Sequence, residues 1–316
     1  MYRAVIVADS IAFGVRLVSM ELTFPRFILA EVNTHRMLSR NSASSRAIPV
    51  ERRVEQVRER PFMPEQFLKN KSGMQGGDPL DEQSAGDARL EWQMAADAAV
   101  ESAARLAKIG VHKQYANRVV EPYAWHTALV TATELDNFFA LRDHKDAQPE
   151  FQIVARLARE ALAASKPREL QVGEWHLPYV TEADEERAEG PIRGSFGPDG
   201  PFYDGAAWDR LLKVSVARCA AISFERQHVE KQLEQYIARH DQMRTAGHMS
   251  PFEHQAQVVE PDDGLAHWEI PFLPQYEMDA SGEWRLFGYF CRNFRAPWLQ
   301  YRATLPGERV FGGGGR

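Results

Sequence analysis

Val18, Met20, Leu22 and Phe24 alternate with Leu17, Ser19, Glu21 and Thr23, a period of two that predicts a half-buried strand. Pro25 then suits the first turn of a helix carrying Phe27, Ile28, Leu29 and Val32. From Leu90 to Lys108 the Ala-rich chain sets Leu90, Met94, Ala98, Ala103 and Leu106 at helical spacing, with Gly110 as the stop. A further helix is expected to end near Pro122. Glu134 to Arg142 bears a stripe of Leu135, Phe138, Phe139 and Leu141 that Thr133 is placed to cap. Phe151 to Ala164 repeats the pattern through Ile153, Val154, Leu157 and Leu162, and Lys166-Pro167 closes it. His228 to Ala246 is another amphipathic stretch, through Val229, Leu233, Tyr236, Ile237 and Met243, stopped by Gly247. Residues 59–88 read as an inserted mobile loop, because Asn70 to Pro79 is rich in breakers and has no period. Glu185 to Gly205 reads as loop for the same reason, and the tail from Gly312 to Arg316 as disordered. The expected fold is a helix-rich α+β domain spanning 1–311 around a small mixed or antiparallel sheet.

Composition narrows the class. A chain of 316 residues, 44% hydrophobic and 26% charged, is ordinary for a globular protein with a sizeable core. Its 44 acids against 38 Lys and Arg give a net charge of −6, against a nucleic-acid partner. No apolar run reaches a bilayer's width, and Met1 to Asp9 is too short and too soon acidic for a signal peptide. The two cysteines, Cys219 and Cys291, cannot build a disulfide framework or a zinc ribbon. A cytoplasmic protein with no membrane partner and no metal is expected.

Three polar constellations carry candidate chemistry. Thr34 to Arg46 packs three arginines, four serines, His35 and Asn41 into thirteen positions without an acid. Guanidinium forks and small hydroxyl donors suit an anionic oxygen cluster, and a solvated polar loop would have the same composition. Ala246 to His254 reads as a helix start, with Ser250 as cap, Pro251 first and Glu253 at the capping-box position. Capping leaves His248 and His254 unaccounted for, and a helix start is also an anion site. In the third, Asn137 and Arg142 flank an apolar stripe and Ala147-Gln148-Pro149-Glu150 follows. A cation at a helix end, as Arg142 is, suits the dipole without further function.

Together the three resemble the flavin-dependent thymidylate synthase family. The family's RHRxxSxNxxSxRY run is similar to Thr34-His35-Arg36 followed by Ser39, Asn41, Ser44 and Arg46. Thr131 to Glu150 resembles its later helix, and Ala116 to Pro122 its Ala-Arg-x-x-Leu-Pro segment, with Arg118 as a phosphate-binding arginine. Gly247 to His254 is similar to its flavin-site segment, and Val216 to Cys219 to its N-terminal Ala-Arg element. In the usual family order those last two come first. The resemblance therefore implies a circular permutation, with 168–205 as the joint. This chain departs from the pattern at Thr34, Glu31, Ser42, Ala47, Thr131 and Thr133.

What the resemblance implies is transfer of a one-carbon unit from methylenetetrahydrofolate to C5 of dUMP, with FAD as hydride carrier and NADPH as reductant. It assigns His35, Arg36, Asn41, Asn137, His248, Ser250 and Glu253 to FAD. Ser44, Ser45, Arg46 and Arg118 fall to the nucleotide phosphate, and Arg142 to the pyrimidine. It also implies a homotetramer with sites shared between subunits, and needs no cysteine nucleophile. Three rivals remain: a paralogue acting on dCMP or leaving a hydroxymethyl group, a flavin or nucleotide binder without turnover, and an interaction protein with a polar loop. Trp268, Trp284 and Trp298 in the segment 261–309 read as core packing.

Overall fold

The computed structural model describes residues 1–188, 195–197, 200–202, 205–224, 232–260, 272–278, 284–291 and 293–305. Strands β1 (Arg3–Ala12) and β2 (Val15–Pro25) form a hairpin, followed by α1 (Leu29–Val32), β3 (Ser39–Ser42) and α2 (Val50–Glu59). Then come α3 (Glu82–Ile109), α4 (Lys113–Ala116), β4 (Trp125–Ala132), α5 (Asp136–Arg142) and α6 (Pro149–Ala164). The later chain gives β5 (Arg168–Glu169), β6 (Trp175–His176), α7 (Glu182–Arg187), β7 (Ser195–Gly197), β8 (Gly200–Phe202), α8 (Gly205–Ala221) and α9 (Leu233–Thr245). It closes with β9 (Ala256–Val258), β10 (Phe272–Met278), β11 (Trp284–Cys291) and β12 (Trp298–Gln300). The main sheet runs β3-β4-β2-β1-β5 and is antiparallel except for the short β1–β5 pair. This is the mixed α+β arrangement the sequence predicts.

The sheet is covered on both faces. Val18, Met20, Leu22 and Phe24 of β2 pack with Val130 of β4 against Phe138, Phe151, Val154 and Ala158. On the other face Leu17 meets Val258, Phe294 and Trp298, and Leu129 meets Cys219 and Ile222. The half-buried expectation for β2 therefore fails from Leu17 to Met20, because the C-terminal part of the chain covers the second face. Trp298 is core, as its aromatic character predicts. A chain of hydrogen bonds fastens the two parts. Ser10 Oγ meets His176 Nδ1 at 2.9 Å, and His176 Nε2 meets Ser19 Oγ at 2.8 Å. Ser19 Oγ meets Thr131 Oγ1 at 2.6 Å, which meets His254 Nδ1 at 2.8 Å. Burial holds both histidines near 3, far below their ordinary value, so both rings are neutral.

Several expectations change. The helix after Pro25 is a single 3-10 turn and α1, although Ile28 and Val32 are buried as predicted. The presumed loop 59–88 ends early, since Asp81 caps α3 through the Ser84 N–H and the helix starts at Glu82. Its remaining part is ordered: Phe62 is fully buried, and Leu68 bridges Pro79 in a small hairpin. Gly110 stops α3 at φ +89°, as expected. Past it lie only α4 and a 3-10 stretch, Asn117–Tyr123. Thr133 does not cap α5; its hydroxyl accepts the Arg295 N–H instead. The loop read over 185–205 holds the end of α7 and the hairpin β7–β8. Helix α9 begins at Leu233; Val229, the glycine tail and Trp268 lie outside the described residues. Among the described residues no helix is long and apolar enough to cross a membrane.

Candidate functional site: a basic cleft where two distant segments meet

Strand β3 pairs with β4 in a register that sets Asn41 opposite Leu129. The chain then turns through Ala43 to Ile48, where the Ala47 and Ile48 N–H groups both bond the Ser44 carbonyl. Asn117, fully buried, holds this turn from below by donating to the carbonyls of Ser45 (2.8 Å) and Ile48 (2.9 Å). The 3-10 turn Ser250–Glu253 arrives at the same place from the far end of the sequence. Asn41 joins the pieces: its amide donates to the Cys219 carbonyl at 2.7 Å, and its Oδ1 accepts from Ser223 and Ser250 at 3.2 Å each.

The junction opens into a cleft of about 800 Å³. Arg26, Arg40, Arg46, Lys113, Arg118 and Arg239 line it, with His112, His248, Ser44 and Ser250, and its described walls hold no carboxylate. The cations differ in how far they are engaged. Arg26 is buried, its Nε lies 2.8 Å from Glu121, and burial holds its pKa below the ordinary value. Arg118 meets both oxygens of the same Glu121, at 3.0 and 3.1 Å. Arg40 donates to the His35 carbonyl at 2.5 Å. Arg239 lies over the Phe224 ring at 5.5 Å. Arg46 is exposed and its guanidinium has no partner among the described residues. Such an array suits a multiply charged anion, which it can hold through charge-assisted hydrogen bonds.

Of the residues the sequence singles out, Ser44, Ser45, Arg46, Arg118, Asn41, His248 and Ser250 are brought together here. Three of them hold other partners than expected. The Ser45 hydroxyl is buried and donates to Glu121, so it is spent inside the protein. Asn41 is buried with its amide satisfied and works as a clamp. Ser250 is no helix cap: Met249 takes the cap position, no side chain caps the turn, and Ser250 donates to Asn41. The Glu253 carboxylate pairs with Arg302 instead of closing a capping box; burial raises its pKa, and Arg302 opposes the rise.

His35 and Arg142 lie elsewhere. Arg142 Nε donates to His35 Nε2 at 2.8 Å, its guanidinium lies 4.6 Å from the Phe151 ring centre, and Glu31 is 3.7 Å away. Burial first, then Arg142 and Arg40, lower His35 to about 4, so its ring is a neutral acceptor. Arg142 lines a second cavity of about 700 Å³. Arg36 and Asn137 are exposed and line neither cavity. Sequence reasoning missed Arg26, Lys113 and Arg239, which come from three separate elements with no local pattern in common. Burial pushes the Cys219 thiol up, leaving it protonated and unsuited to nucleophilic work.

Residues 15–168 match the family model described as thymidylate synthase complementing protein. The match spans a little under half of the chain. The match ends before the 248–254 turn that completes the cleft. No curated protein matches the chain. Two solved structures of the UMP/dUMP methylase PolB from Streptomyces cacaoi are similar to it. The one bound with 5-Br dUMP is 19% identical, covers 47% of this chain and 67% of its own, and has a TM-score of 0.38. The one bound with 5-Br UMP is 17% identical, covers 52% and 89%, and has a TM-score of 0.44.

Proposed function

We propose that the chain transfers a one-carbon unit from methylenetetrahydrofolate to C5 of a pyrimidine nucleotide monophosphate, dUMP first among them, with FAD and NADPH. The family-model match over 15–168 supports the reaction class, and one observation carries the site. A cleft whose described walls hold six cations and no carboxylate forms where 39–46 meets 248–251. That meeting also supports the circular permutation, since the segment that precedes the arginine-rich run in the family lies beside it here while following it in sequence.

A flavin dinucleotide fits this donor set, because no described wall carboxylate opposes its pyrophosphate. When bound, FAD supplies the hydride chemistry. The chain's own residues bind and orient. Arg46, with no partner among the described residues, takes the nucleotide phosphate, helped by Ser44. Arg40, His248 and Arg239 hold the remaining negative charge of the cofactor. Arg142 lies outside this cleft within one chain, so the reading gives it to the pyrimidine bound by a neighbouring copy, as in the family's shared sites. A guanidinium there stabilises negative charge developing on the ring during attack from C5.

An absorbance spectrum of the purified protein, after FAD addition and desalting, tests this. Retained oxidised flavin together with dUMP binding is expected. A protein that retains none fails the reading. A paralogue specific for another base is the second reading, favoured by Glu31 beside Arg142, where an acceptor-only carboxylate meets the base edge. Competition between dUMP and dCMP separates the two. Flavin retention without NADPH oxidation, with folate and nucleotide present, would leave a binder without turnover.

A further inference from the structure

The second cavity holds a carboxylate that the chain leaves without use. Glu150 is 7% exposed, and among the described residues it has no hydrogen-bond or ion-pair partner. It sits in the first turn of α6, where the helix dipole favours an acid. The residue is buried, but its carboxylate oxygens are not among the sealed unpartnered atoms, so they are open to the cavities that it lines. Glu150 lines both the 700 Å³ cavity and an adjoining one of about 200 Å³. The smaller cavity is also lined by Tyr2, whose hydroxyl is buried without a hydrogen-bond partner. Around the larger cavity stand the rings of Phe27, Phe67 and Trp92 and the amides of Gln66 and Gln148. Phe67 comes from the hairpin over 67–80, in which the Leu80 N–H bonds the Phe67 carbonyl.

We propose that this cavity binds a planar 2-amino-4-oxo heterocycle, the ring shared by pterins and guanine, through Glu150. Such a ring presents two adjacent donors, a ring N–H and the amino group, and a carboxylate offers two acceptors at matching separation. The flanking rings provide the faces for stacking. A uracil has a single N–H on that edge and leaves one carboxylate oxygen unserved. The inference deepens the proposed reaction, since the pterin of the one-carbon donor is a ring of this kind, and it gives the 64–76 loop the task of walling that ring.

Isothermal titration of the full chain with 5-formyltetrahydrofolate, GMP and dUMP tests it. Binding of the folate or of GMP is expected, and the stronger of the two names the source of the ring. Glu150→Gln is expected to weaken that ligand about tenfold to hundredfold, with dUMP affinity unchanged. Phe67→Ala, at a half-buried position, is expected to weaken it about threefold to tenfold and serves if Glu150→Gln does not fold. No binding of either ring, or a Kd within twofold of the parent in the folded variants, overturns the proposal. Lost FAD and dUMP binding with intact Glu150-dependent binding would instead overturn the reading of the basic cleft.

Discussion

The two cavities are nearly equal in size, about 800 and 700 Å³, yet one is lined by charge of a single sign and the other by both, and they are built differently. The first is lined by six cations and needs residues from both ends of the chain, from Arg26 to Pro251. The second mixes Glu31, Asp146 and Glu150 with Arg142 and Lys145, and every lining residue falls between 27 and 152. In the first the uncommitted charge is a guanidinium, Arg46; in the second the buried uncommitted charge is a carboxylate, Glu150, beside the exposed Lys145, while Arg142 is engaged with His35 and Phe151. What a cavity binds follows from the groups left over after internal pairing, and only the second cavity leaves over a carboxylate.

Acid should break this comparison most strongly. The cleft depends on the C-terminal segments, which the neutral His176 and His254 fasten to the sheet. The unfolded chain takes up a proton at each near 6.5, whereas the folded chain refuses one until about 3. The unfolded state thus binds more protons over that interval, and stability falls as the pH drops from 6.5, by up to about 1.4 kcal/mol per unit for each ring. Urea midpoints at pH 7, 6 and 5 should decline in that order. Nucleotide binding in the cleft should fail before Trp92 in the second cavity is exposed. A midpoint constant from pH 7 to 5 would remove the neutral latch.

Asn41→Ala comes next. It leaves the Cys219 carbonyl without its donor and the Ser223 and Ser250 hydroxyls without their acceptor. Unsatisfied buried groups of this kind cost about 1–3 kcal/mol each, so thermal unfolding should show a loss of about 2–4 kcal/mol, with weaker nucleotide binding. A binding defect without a stability defect would return Asn41 to the role of a ligand contact.

Arg46→Ala should do the reverse. Its guanidinium has no partner among the described residues, so stability should stay within about 0.5 kcal/mol. Titration with dUMP should show a loss of about 1.5–3 kcal/mol and unchanged flavin retention. Equal nucleotide affinity in parent and variant would move the phosphate away from the 43–48 turn.

The contrast between Asn41 and Arg46 shows what could be read from the chain. Residue types and spacing pointed to the turn that lines the basic cleft, because a run of Arg and Ser without an acid is a local signal. They could not separate the residues that bind from those that build, since Ser45 and Asn41 are consumed by Glu121, Cys219 and Ser250, partners 76, 178 and 209 positions away. Helices with one apolar stripe, such as α6, were legible from their period. Helix α8 was not: Leu211, Val214, Val216, Cys219 and Ala220 are buried around most of its circumference, so it shows no stripe. The second cavity was invisible, because an unpartnered Glu150 at the start of α6 looks the same in sequence as an ordinary first-turn acid.

Arg118→Ala should have the smallest effect, and it tests the rule of leftover charge directly. Arg118 and Arg46 line the same cleft and carry the same charge, but Arg118 is already paired with Glu121 at 3.0 and 3.1 Å. To grip a phosphate it must give up that pair, and the gain is only the difference between two similar interactions. The pair is half exposed, so losing it should cost stability no more than about 1 kcal/mol. Removing Arg118 also frees Glu121, which still answers to Arg26 and Ser45, so little new negative charge reaches the cleft. Titration should therefore show a dUMP loss well below that of Arg46→Ala. Equal losses would mean that proximity to the cleft, rather than freedom from internal partners, sets each cation's share.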